Sequence, residues 1–314
     1  MTSQPDLLEA YAEDEEEGMV VNGWVLGRVI GRGGFSTVRI AELYDNEVQP
    51  PKLIPADELA DNDDETCPRV MLEREIEIWK QVHDHPNVVR YYDVAYTMTA
   101  TLLFVELCER GSVYDMIQRE YPDGLPPRLL ASLFTQLANT MAYLHDRIGI
   151  IHGDIKLENL LIADDGTLRI TDFGLSEYAE APKSSASNYL DAAAIPAGQR
   201  AVYPDMWAVG VVMYLMLTGR YPFSDMFSPR LVMKIQRGEY DKALINAAVE
   251  RARSTSLSPD EAAYSQEAAN LIDQLLVADP KKRCTVKDLV SSPLYICDFI
   301  ATASSSSSSS SASH

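Results

Sequence analysis

The apolar positions of this chain change their period once. Between Trp24 and Leu107 they fall in short β-branched runs, Val25 to Ile30, Val38 to Leu43 and Leu102 to Leu107, which predict strands. One stretch inside that region, Leu72 to Val82, is patterned as a helix. Beyond Gly111 the spacing becomes helical. Leu130, Leu133, Phe134, Leu137, Met141 and Leu144 recur at helical spacing and predict one core-facing stripe. Met206 to Leu217 is almost wholly apolar, the pattern of a helix buried on every side. Ser258-Pro259-Asp260-Glu261 brings together an N-cap, a first-turn proline and a capping-box glutamate, which predicts a helix start. The expectation is an α+β chain in two lobes. Residues 23–107 make a small antiparallel sheet lobe with one main helix, and residues 108–300 a larger, mainly helical lobe. A cleft between two such lobes is a favoured place for a ligand.

The two ends lack this patterning. Residues 1–22 form an acidic leader around Glu13 to Glu17, and residues 301–314 a tail dominated by the run Ser304 to Ser311. Neither can build a core, and both are expected to be disordered.

Composition excludes several classes of function. The hydrophobic fraction is 46%, enough for a sizeable core in a chain of 314 residues. No apolar run approaches the ~20 residues that span a bilayer. The acidic N-terminus lacks the basic-then-apolar pattern of a signal peptide, so cytoplasm, with the nucleus as the alternative, is the expected location. A formal net charge of −20 argues against nucleic acid and against an anionic membrane as partners, and favours basic peptides if it favours any. Cys67, Cys108, Cys284 and Cys297 have neither metal-ligand nor redox-motif spacing and read as reduced thiols.

Three segments carry candidate chemistry. Gly31-Arg32-Gly33-Gly34-Phe35-Ser36-Thr37-Val38 has glycines that let backbone N–H groups approach phosphates closely. A Walker loop needs Gly-Lys, which the chain lacks, and a Rossmann loop must open a helix. The residues after these glycines, Val38 to Leu43, alternate as a strand does. An ordinary hairpin turn has the same local pattern. The second segment, His152-Gly153-Asp154-Ile155-Lys156-Leu157-Glu158-Asn159, is sharper. Thirteen residues beyond Asn159 stands the third, Asp172-Phe173-Gly174. Between them, Leu160 to Ile162 and Leu168 to Ile170 flank Asp164-Asp165-Gly166, which predicts a hairpin.

In this order the motifs resemble those of eukaryotic-type protein kinases over roughly Trp24 to Leu294. A lysine two residues after the catalytic aspartate resembles the serine/threonine branch. The stretch from Asp205 to Tyr240 is most similar to the calmodulin-dependent and sucrose-nonfermenting-related group. The resemblance implies a bilobal fold, ATP and Mg, with Mn as an alternative, and a protein or peptide substrate. It implies that Asp154 orients the attacking hydroxyl, that Lys156 neutralises charge on the transferred group, and that Asn159 and Asp172 supply oxygens to the metal. Lys52 is the matching lysine of the small lobe and Glu75 its partner, Glu77 lying on a different helix face. The nucleotide would meet Ile30, Gly31, Gly33, Gly34, Phe35, Ser36 and Val38, the gatekeeper Val105, hinge residues Glu106, Leu107 and Cys108, and Leu161. Trp79, Tyr91, His152 and Phe173 would stack in a column, and Asp205 would hydrogen-bond the catalytic-loop backbone.

Three positions depart from the family. Val48-Gln49-Pro50-Pro51-Lys52 puts prolines in the lysine strand, where they remove ladder donors. Gly153 stands where the family carries an arginine that reads an activation-loop phosphate, so activation by that phosphate is not expected. The segment from Asp172 to Ala193 is short, with Ala186 and Ala193 at the places of the usual threonine and glutamate, so Arg283 must find another acceptor or reach water. A nucleotide-binding scaffold without transfer is the alternative that these departures leave open; a small-molecule kinase fits the late helical texture less well.

Overall fold

The structure, a computed structural model, describes residues 17–32, 37–43, 68–97, 100–179, 202–255 and 259–295. Packing divides the chain into two compact units, Met1–Asp64 with Arg90–Leu107, and Glu65–Val89 with Cys108–His314.

Among the described residues, the first unit is built from strands. β1 (Val20–Val21), β2 (Trp24–Arg32) and β3 (Thr37–Leu43) form an antiparallel sheet in that order. The last pair of β2 and β3 is Arg32 with Thr37. The glycine segment therefore joins two antiparallel strands and does not open a helix. Gly33, Gly34, Phe35 and Ser36 themselves lie outside the described residues, as do Lys52 and the prolines before it. β4 (Tyr91–Tyr96) and β5 (Thr101–Val105) make a second hairpin. Val21, Leu26, Ala95 and Phe104 bury their side chains in a small core, with Trp24 stacked on Phe104 at 5.0 Å. Asn22 Nδ2 ties the two hairpins by donating to Asp93 Oδ2 at 3.2 Å.

The second unit opens with α1 (Pro68–Val82), the helix predicted over Leu72 to Val82. By sequence position this helix falls in the small lobe; by packing it belongs with the larger unit. Trp79 is the reason. Its indole N–H donates to the Val89 carbonyl at 2.7 Å, and Val89 N–H donates to Ile170 of the larger unit at 2.9 Å. After α2 (Val113–Glu120) comes α3 (Pro127–Ala142), and the predicted stripe, Leu130 to Met141 on this helix and Leu144 just beyond it, is buried. A π turn (Tyr143–Ile148) ends it at Gly149, which takes φ 78°.

α4 (Tyr203–Thr218) is the helix predicted to be buried all round, and from Val212 to Thr218 every residue is buried. It packs beside α7 (Pro259–Leu275), which begins at the predicted first-turn proline; Ser258 lies outside the described residues. Gly210 sets that approach, because a Cβ there would lie 2.8 Å from Leu275 Cβ and from Leu276 Cδ2. α5 (Ser228–Arg237), α6 (Lys242–Thr255) and α8 (Val286–Val290) complete the helical layer. No described helix is long and apolar enough to cross a membrane.

Candidate active site

The site is assembled in the larger unit from two hairpin-like excursions. β6 (Ile150–Ile151) pairs with β9 (Glu177–Tyr178), and the chain after β6 forms the loop that carries Asp154. β7 (Leu160–Ile162) and β8 (Leu168–Ile170) make the hairpin predicted around Asp164-Asp165-Gly166. Asp165 Oδ1 closes its turn by accepting from Thr167 N–H at 2.8 Å and from Thr167 Oγ1 at 2.6 Å, with Gly166 at φ 85°. The hairpin returns the chain so that Asp172 comes back beside Asn159.

Asn159 is the hub. Its side chain is buried, and Nδ2 donates to Asp154 O and Asp154 Oδ2 at 3.0 Å each, and to Asp172 Oδ2 at 3.4 Å. Lys156 Nζ lies 2.5 Å from Asp154 Oδ2, and that hydrogen bond raises the lysine pKa above its usual value. Asp172 holds a left-handed backbone, φ 68°, unusual for a residue other than glycine. Its Oδ1 accepts from Gly174 N–H at 3.3 Å. A Cβ on Gly174 would sit 3.3 Å from that oxygen and 3.5 Å from Glu75 Oε2, so this glycine gives two carboxylates room to meet. Burial first, and the charge of Asp172 second, push the Glu75 carboxyl up to about 7. Of the two glutamates weighed on α1, Glu75 is the one that faces Asp172, while Glu77 is exposed.

The loop is anchored from below. Asp205, buried in the first turn of α4, accepts from His152 N–H at 2.8 Å and Gly153 N–H at 2.9 Å. Its Oδ2 also lies 2.8 Å from His145 Nε2. Asp205 thus has the role the resemblance implied; His145 was not anticipated, because nothing in its helical spacing separates it from the core stripe. His152 is fully buried, and burial holds its pKa below the usual imidazole value. Its Nδ1 accepts from Asp154 N–H at 3.2 Å and its Nε2 lies 3.2 Å from Thr171 O, the pattern of a neutral ring protonated at Nε2. Phe173 packs between His152 at 4.9 Å and Trp79 at 5.4 Å. Three of the four column residues therefore stack, and Tyr91, the fourth, begins β4 of the smaller unit.

The remaining expected residues are placed as follows. Ile30 and Gly31 lie on β2 and Val38 on β3, with Ile30 and Val38 exposed. Val105 ends β5, and Glu106 N–H donates to Arg90 O at 2.9 Å. In the larger unit Leu161 lies on β7, and Cys108 O accepts from Gly111 N–H at 3.2 Å. Ala186 and Ala193 fall outside the described residues. Arg283 has found its substitute acceptors. Nη1 donates to Tyr203 O at 2.6 Å, Nε and Nη2 donate to Val277 O at 3.2 and 3.0 Å, and the guanidinium lies 4.9 Å over the Trp207 ring.

The donor set suits a divalent cation carried in with phosphates. No group of three His, Cys, Asp or Glu residues forms a metal cage among the described residues. Mg does not need one, since it is held by one or two carboxylates together with substrate phosphates. Asp172 and Asn159 carry side-chain oxygens of that kind, and they lie side by side.

Comparison with known proteins agrees with this geometry. The protein kinase domain family matches residues 24–295. The chain is 28% identical over 310 residues to the protein kinase domain-containing protein ppk9 of Schizosaccharomyces pombe, covering 94% of this chain and 52% of that one. It is 32% identical over 231 residues to the serine/threonine-protein kinase GIN4 of Saccharomyces cerevisiae, covering 71% of this chain and 18% of that one. With the Aurora/IPL1-related protein kinase 2 of Caenorhabditis elegans it shares 30% identity over 274 residues, 86% of this chain and 81% of that one. The chain thus spans about half of ppk9 and less than a fifth of GIN4. With Asp154, Asn159 and Asp172 gathered on one hub and nearly the whole patterned region matched, the chain belongs to the protein kinase domain family.

Proposed function

We propose that this chain transfers the γ-phosphoryl group of ATP to serine and threonine hydroxyls of protein substrates. Kinase domains use ATP and a divalent cation, and this chain does so as a member of the family. The observation that carries the reading is the single cluster of Asp154, Lys156, Asn159 and Asp172, with Glu75 beside Asp172. Among the described residues, the hydrogen bonds to the Asp154 carboxylate fall on Oδ2. Oδ1 is the oxygen we assign to the acceptor hydroxyl. The hydroxyl oxygen forms a bond to the γ-phosphorus, the bond from that phosphorus to the β–γ bridging oxygen breaks, ADP leaves, and the hydroxyl proton passes to Asp154. Lys156 offsets charge on the transferred group, and Asp172 and Asn159 hold the cation, Mg in preference with Mn as the alternative. Glu75 is the proposed partner of Lys52. Nucleotide contacts are proposed for Ile30, Gly31, Gly33, Gly34, Phe35, Ser36, Val38, Val105 and Glu106 in the smaller unit, and for Cys108 and Leu161 in the larger.

The net charge of −20 supports basic substrate peptides and counts against nucleic acid or anionic membrane as partners. The proposed location is the cytoplasm or nucleus. The test is transfer from labelled ATP, with Mg or Mn, to basic peptides and to the protein itself. Transfer that disappears in Asp154→Asn supports the reading. Nucleotide binding with no transfer by the wild-type chain would replace it with a scaffold role.

A further inference from the structure

We propose that Gly153 and Ser176 are positioning residues for this reaction, a latch that fixes the Asp154 loop to the turn following Asp172 through one hydroxyl and a close approach of two backbones. The inference rests on the transfer reading above.

Ser176 is buried, and its Oγ donates to the His152 carbonyl at 2.9 Å. That carbonyl belongs to the peptide joining His152 to Gly153. The N–H on the other side of the same peptide is held by Asp205 Oδ1 at 2.9 Å. The peptide plane joining His152 to Gly153, one residue ahead of the peptide that leads into Asp154, is therefore gripped at both ends, by α4 on its N–H and by Ser176 on its C=O. Ser176 is itself fixed, since its N–H donates to Phe173 O at 3.0 Å. One hydroxyl thus connects the backbone on which Asp154 is mounted to the turn that begins at Asp172.

Gly153 makes the connection close. It takes φ 80°, a left-handed backbone that side chains disfavour, and a Cβ built there would lie 2.5 Å from the carbonyl oxygen of Leu175. Any side chain at 153 must push that carbonyl away, and with it the turn from Asp172 to Ser176. The chain has no arginine here to read an activation-loop phosphate; in its place is a direct, uncharged approach of two backbones. A latch of this kind holds Asp154 and Asp172 in register without a charge partner.

The test compares wild type, Ser176→Ala and Gly153→Ala for kcat, KM for ATP, and amide hydrogen exchange at Gly153 and Asp154. The latch predicts that kcat falls by about tenfold to a hundredfold, the penalty of roughly 1 Å misplacement, while KM for ATP stays within about twofold. It also predicts faster exchange at both amides. Loss of active protein alone would lower kcat in proportion to the folded fraction, which thermal unfolding measures, and would leave exchange in the folded fraction unchanged. Unchanged kcat per folded molecule in both variants overturns the proposal. If the wild-type chain transfers no phosphate, the transfer reading fails separately, and the exchange rates alone decide whether the latch exists.

Discussion

A carboxyl whose pKa is raised by burial is a source of pH dependence, and Glu75 is that group here. Its pKa rises to about 7 through burial and then through Asp172, above the value near 4.3 of an unfolded glutamate. The folded state then binds its proton more tightly than the unfolded chain. Stability is undiminished below about pH 4.3 and is lost as pH rises toward 7, by at most roughly 4 kcal/mol. Without nucleotide and divalent metal, Glu75→Gln is expected to match wild type near pH 4.5 and exceed it at pH 8, as read by thermal unfolding across pH. A variant less stable than wild type at pH 8 would instead place a cation such as Lys52 on this carboxylate. Asp205 is buried among hydrogen-bonding partners, two backbone N–H groups and His145. Asp205→Ala leaves two backbone N–H groups and His145 without their acceptor, and should cost about 3–5 kcal/mol in chemical denaturation. A loss below about 1 kcal/mol would show that water replaces the carboxylate.

Between elements, Arg283 is held by backbone carbonyls and a ring. Two backbone carbonyls and an indole face do the work of a carboxylate, and they tie the start of α4 to the turn after α7. Burial lowers its pKa, the direction expected for a guanidinium held mainly by neutral groups. A double-mutant cycle between Arg283→Met and Trp207→Leu should give a coupling of about 0.5–2 kcal/mol. The coupling should change little with salt, because a neutral ring and carbonyls are not screened as an ion pair is. A coupling near zero would mean that the arginine is held elsewhere. At the crossing of α4 and α7, Gly210→Ala inserts a methyl group where 2.8 Å separates the would-be Cβ from two leucines, and about 1–3 kcal/mol of destabilisation is expected in urea unfolding.

For the whole molecule, the acidic cluster and the net charge of −20 make bound cations a stabilising influence. A ligand that binds only the folded chain adds about 2.7 kcal/mol at a hundredfold excess over its Kd. Mg with ATP should therefore raise the unfolding temperature of the wild-type chain, and chelation should reverse the shift. In Asp172→Ala the Mg-dependent part of the shift should vanish while any Mg-independent binding remains. An unchanged Mg dependence would remove Asp172 from the metal.

What could be read from residues alone was whatever a local pattern encodes. The stripe from Leu130 to Leu144 and the all-apolar α4 were legible because burial imposes a helical period on nearby positions. The hairpin at Asp165 and Gly166 was legible because turn geometry restricts the residues that can make it. Spacing of the aspartates identified the family, and with it Asp154, Asn159, Asp172 and the anchoring Asp205. Contacts between distant residues were not legible, because no sequence period connects them. His145 meets Asp205 across 60 positions, Arg283 meets Tyr203 across 80, and Ser176 reaches back 24 positions to His152. The sequence left Arg283 either another acceptor or water, and the packed chain decided for the carbonyls of Tyr203 and Val277. The sequence also showed Gly153 as a missing arginine. Tertiary structure decided that the same glycine is a close approach of two backbones, because that distance exists only once the loop and the Asp172 turn are packed together.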